Sequence, residues 1–133
     1  MKHLLPFVTG FVTFMVISSA YYMGLTEMPQ GVCFSAEPNM AYMLIANVLF
    51  VALTSYVVQL GGDFSPAAGA KHGAFVALTA NGFLNLCFLG FFTCFTASQV
   101  IQDIVVNIPM MAASGAAIAY MYGRGEAKDA AVA

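Results

Sequence analysis

Asp103 is the one ionisable residue deep inside an apolar stretch of this chain, and it has the most chemistry to offer. A carboxylate surrounded by hydrocarbon is costly, so it faces other polar groups or a wet cavity. Gln99 and Asn107 stand four residues to either side of it, on one helical face, and Ser114 continues the stripe. Asn81 and Asn85 form another pair at helical spacing and are the expected partners of Asp103 and Asn107. One acid among several amides could hold a proton, an ion or a polar ligand. The same residues could equally do no more than join helices, through hydrogen bonds worth about 0.6–2 kcal/mol each. If desolvated, Asp103 could carry a proton, which would serve a relay or a plain hydrogen bond.

Other reactive residue types are sparse. Of three cysteines, Cys33 and Cys94 fall near one end of the expected bundle and could form a disulfide in an oxidising exterior, while Cys87 lies within a span. No C-x-x-C pair points to zinc or to redox exchange. Met23, Met28, Met40 and Met43 gather near Cys33, a soft-donor set that could suit Cu(I), but without the spacing of a compact ligand box. His3 and His72 sit near the opposite edge and not at mid-depth, where a haem ligand belongs. No cofactor and no metal is therefore expected. Nucleophile elbows, phosphate-binding loops, paired carboxylates and H-E-x-x-H helices are all missing, so nothing supports an enzyme.

The elements that must position these groups follow from composition. Of 133 residues, 61% are hydrophobic and only 8% charged, more apolar surface than one soluble core of this size could hide. A helical crossing of the bilayer needs about 20 apolar residues. Four stretches satisfy this: about 4–25, 40–60, 66–95 and 98–122. Pro38, whose missing N–H would have no partner in a first turn, and Ser65-Pro66 suit helix starts, and Gly123 with the polar tail 123–133 marks the last end. The expected fold is an all-α bundle of four transmembrane helices with antiparallel neighbours, in a single domain. A cleaved leader ending near Ser18-Ser19-Ala20 is the competing reading of the N-terminus, and it would leave three spans with ends on opposite faces.

Lys2, Lys71, Arg124 and Lys128 all fall on one side of a four-span arrangement, which makes that side cytoplasmic. Both termini and the 61–71 connection then lie inside, and the 26–39 and 95–98 connections lie outside. No Lys/Arg cluster exists to meet a phosphate backbone, so nucleic acid is not an expected partner. At about 1.5 Å per residue, Ser18, Ser19, Asn47, Asn85, Asp103 and Asn107 reach one level in the outer half of the bilayer. Small residues form a second pattern: Gly73 and Ala77 on the third helix, with Ala112, Gly115, Ala116 and Ala119 on the fourth. Their spacing permits close backbone approach, to a helix of this chain or of another copy.

The stretch Ser19-Ala20-Tyr21-Tyr22-Met23-Gly24, the Pro38-Asn39 helix start, and Asn85 placed 18 residues before Asp103 resemble a bacterial family of four-helix membrane proteins. That family is catalogued as a domain of unknown function, number twenty-one seventy-seven. The resemblance spans nearly the whole chain and implies a bacterial inner-membrane location and no particular activity. It implies carboxylates where this chain has Ser19 and Asn85, whereas Asp103 matches directly. Two functions are compatible with these features. One is a non-catalytic protein acting as a homo-oligomer or a small subunit of a larger membrane assembly. The other is a small transporter, channel or binder of an unknown small molecule, using the outer polar level.

Overall fold

A computed structural model describes residues 3–24 and 39–132, with side chains as far as Gly125. Each helix begins where its local chemistry supplies a cap. Helix α1 covers Leu4–Gly24. Helix α2, Met40–Gly61, starts at Asn39, whose side-chain oxygen accepts the N–H groups of Ala41 and Tyr42 at 3.1 and 3.3 Å. It stops at Gly62, which takes the left-handed φ of 68° that a side chain would resist. Helix α3, Pro66–Phe91, starts with the Ser65 hydroxyl accepting from Ala68 N–H at 3.3 Å and Pro66 in the first turn. Helix α4 covers Ala97–Val132.

Three boundaries differ from the sequence expectation. The third helix ends at Phe91, not at 95, because Phe92 is extended and Thr96 already caps the next helix. The Thr96 hydroxyl accepts from Gln99 N–H at 3.3 Å, and the Gln99 side-chain oxygen accepts from Thr96 N–H at 3.0 Å, a reciprocal capping box. The third helix starts at Pro66 and carries Lys71, as its expected span has it, so the connection written over 61–71 is only 62–65. Gly123 does not end the last helix. A Cβ there would lie 3.2 Å from the Phe64 carbonyl, so this glycine admits the neighbouring connection, and the helix runs on through Val132.

Helix α4 is the hub and packs against each of the other three. In its most apolar window 39% of residues are buried, against 17–22% in the other three helices. Its seam with α3 is built on backbone contact: a Cβ on Gly73 would strike the Met111 carbonyl, and one on Gly69 would strike the Gly115 carbonyl and Ala119. On the α1 side, Gly10 makes room for Ile118, and the Ser114 hydroxyl donates to the Gly10 carbonyl at 2.9 Å. Phe14, Val51, Val58, Met111 and Ile118 fill the core.

The outside of the bundle is apolar. Leu5, Val12, Leu49, Leu53, Phe75 and Phe83 are exposed, while Ser18, Thr54, Ser55, Asn107 and Ser114 are buried. All four helices are long and apolar enough to cross a membrane, with mean hydropathies of 1.6 to 2.0. This is the inverse of a water-soluble protein, and it fits a surface solvated by hydrocarbon.

Candidate functional site

Asp103, on α4, receives donors from two other helices. Its Oδ1 accepts the Tyr22 hydroxyl of α1 at 2.8 Å. Its Oδ2 accepts the side-chain amides of Asn81 and Asn85, both on α3, at 3.1 and 2.9 Å. The Asn85 amide also donates to the side-chain oxygen and the carbonyl of Asn81, both at 3.1 Å. Asn107, buried one turn along α4, donates to the Asp103 carbonyl at 2.9 Å and to the Tyr22 hydroxyl at 3.5 Å. The carboxylate thus acts only as an acceptor, and none of these partners carries positive charge.

Local geometry explains why two asparagines of α3 can reach one carboxylate. Between Val76 and Gly82 the helix widens into a π turn, Ala77–Asn81. A π turn adds one residue to the helical circuit and so resets which face the following residues occupy. The seam glycines Gly69 and Gly73 face α4 before it. Asn81, its last residue, and Asn85 beyond it face α4 as well, where an unbroken α-helix would have carried them progressively round its axis.

No family model, curated protein or solved structure matches the chain.

Of the residues expected in the polar site, the structure brings Asp103, Asn107, Asn85 and Asn81 together. It separates the rest. Gln99 is occupied in the capping box with Thr96. Asn47 turns to the Met15 sulfur of α1, 3.7 Å away. Ser19 is exposed, while its neighbour Ser18 is buried and donates to the Met15 carbonyl at 3.3 Å. Among the small residues, Gly73, Ala112, Gly115 and Ala119 lie on the α3–α4 seam inside the chain. Ala77 is fully buried and Ala116 half-buried. Cys94 is disulfide-bonded and Cys87 is a free thiol; Cys33, like Met28, lies outside the described residues.

Two features escaped sequence reasoning. Tyr22 completes the Asp103 site, and beside it Tyr21 accepts from Gln102 at 3.1 Å. The signal was available: two adjacent phenols at the end of α1 face the level of Gln102 and Asp103 once helix lengths are laid side by side. The second feature lies at the far end of the bundle, where the buried Tyr122 hydroxyl meets His3 Nδ1 at 3.3 Å, Ser55 at 3.5 Å and the Gln59 amide. Among the described residues no three His, Cys, Asp or Glu side chains gather as a metal site would need.

Proposed function

We propose that this chain is a multi-pass integral membrane protein of the bacterial inner membrane whose role is non-catalytic, as a homo-oligomer or a small subunit of a membrane assembly. Contacts between residues 3 and 122, 10 and 114, and 22 and 103 run in opposite directions along α1 and α4. They support antiparallel neighbours, and the placement of Lys71 and Arg124 supports cytoplasmic ends.

The observation that carries this reading is the closure of Asp103 on α1 and α3. Three donors from two helices meet one carboxylate, so the polar level ties the helices of a single chain at a defined height. The bundle then offers its exposed apolar faces to lipid or to partner subunits. The test is native mass spectrometry of the full chain from a mild detergent, beside proton and cation flux in liposomes. Discrete oligomers or a co-purified partner without flux is the expected result. A strict monomer whose flux disappears in Asp103→Asn overturns the reading.

The second reading, a small-molecule binder, is favoured by one detail: Asp103 Oδ1 accepts one hydrogen bond where a carboxylate oxygen has room for two.

A further inference from the structure

Two neighbouring helices lose their regular hydrogen-bond ladder at one level. In α3 the Gly82 N–H reaches the Ala77 carbonyl, five residues back, and the Thr79 hydroxyl donates to the Phe75 carbonyl at 2.7 Å. In α4 Pro109 has no N–H to give, so the Val105 carbonyl has no helical donor. Both interruptions fall between the Gly73–Met111 contact on one side and the Asn85–Asp103 bond on the other. Proline and π turns are the usual places where a helix bends.

The two sides of that level are held differently. Toward Tyr122, Gly69 and Gly73 set the α3 backbone on that of α4, and the Ser114 hydroxyl holds the Gly10 carbonyl of α1 at 2.9 Å. Toward Asp103, α3 and α4 are joined into a hairpin arm, because Asn81 and Asn85 bind Asp103 and the Thr96–Gln99 box closes the connection. Among the described residues, the 82–91 stretch of this arm packs on α4 and the π turn and on neither α1 nor α2. The polar ties of the arm to α1 run through side-chain tips, Tyr22 to Asp103 at 2.8 Å and Gln102 to Tyr21 at 3.1 Å. At the same level an apolar groove of about 560 Å³, walled by Val16, Ile17, Val106 and Met110 among others, already parts α1 from α4.

We propose that the π turn of α3 and Pro109 of α4 form a paired hinge, about which the 82–106 arm swings away from α1 as one body, with Tyr21 and Tyr22 as its latch. The α4 half of the arm reaches about 15 Å beyond the hinge, so a bend of about 20°, the size of a sharp helix kink, carries its tip about 5 Å. At Asp103 the same bend amounts to about 2–3 Å, enough to part the Tyr22 hydroxyl from the carboxylate and leave Oδ1 open. The disulfide at Cys94 sits at the tip and bounds the travel. The hinge gives the polar level a closed and an open state, and it holds whether the chain assembles with others or binds a small molecule.

The test is double electron–electron resonance on the full chain in phosphatidylcholine vesicles, with nitroxides on Cys87 of the arm and on Met23→Cys at the end of α1. A second pair, Leu5→Cys with Ala67→Cys in a Cys87→Ser chain, reports on the same two helices at the Tyr122 end. Tyr21→Phe combined with Tyr22→Phe is expected to add a population about 4 Å longer in the first pair and none in the second. Pro109→Ala in that background returns a donor to the Val105 carbonyl and withdraws the long population. Gln102→Ala cuts only the Tyr21 tie and gives a smaller fraction of the same long distance; it decides alone should the double variant fail to fold. An unmoved first pair, an equal shift at both ends, or a long population indifferent to Pro109→Ala overturns the hinge.

Discussion

Asp103 shows how one side chain can unite helices that hydropathy alone leaves unrelated. Removing its carboxylate takes the acceptor from the Tyr22 hydroxyl and the Asn81 amide and leaves the Asn85 amide with Asn81 alone, whereas removing Tyr22 leaves Asp103 with both asparagines. Asp103→Ala should therefore lower the unfolding free energy in detergent by about 2 kcal/mol and Tyr22→Phe by about 1 kcal/mol, followed by denaturant titration. Equal, negligible effects would mean that the site does not hold the bundle together. Asn81 and Asn85 were legible as its partners because four-residue spacing puts both on one face. Tyr22 was less so, since level alone does not say which face of α1 its phenol presents.

At the scale of elements, close packing and capping decide stability. The α3–α4 seam has no room for side chains at Gly69 or Gly73, where the opposing atoms are backbone and cannot turn aside. Gly73→Val should cost about 3 kcal/mol or prevent folding, whereas the same change at Gly90, where a Cβ would meet nothing, should be mild. Thr96→Ala removes one half of a capping box and should cost about 1 kcal/mol, read from the same titration. The α2–α3 connection carries a pH signature. Asp63 lies outside the spans and accepts Ser65 N–H at 2.9 Å, which holds its carboxyl below the usual carboxylate range. Its folded pKa is depressed, so its contribution is present above the unfolded value of about 3.9 and disappears as pH falls through the lower folded value. Thermal unfolding of Asp63→Asn against pH should lose that component.

For the whole molecule, the consequences concern orientation and covalent closure. If both ends are cytoplasmic, a membrane-impermeant amine reagent applied to intact right-side-out vesicles should leave Lys71 unmodified until the membrane is opened. Modification in sealed vesicles would reverse the topology. The packing is uneven from end to end. Buried residues of α2 are Val51, Thr54, Ser55 and Val58, and the final α-helical stretch of α3 buries only Gly82. The tight core thus lies toward Tyr122, and the Asp103 level is more loosely enclosed. A polar tie and the disulfide at Cys94 are placed where hydrocarbon packing is thinnest.

Local chemistry alone determined the number of helices and the start of the third at Ser65-Pro66. Those properties depend on run length, rise per residue and side-chain reach, all of which are written along the chain. Tertiary structure decided the rest. It placed Asn47 against Met15, turned Gln99 into a cap, left Ser19 outside, and spent the small-residue stripe on a seam within the chain. It also carried the last helix past Gly123. The physical reason is that hydropathy reports depth but not rotation. In α1 and α2 nearly every face is apolar, so no stripe reveals which side meets a neighbour. Only the packed backbones, with the π turn in α3, set the direction in which each polar side chain points.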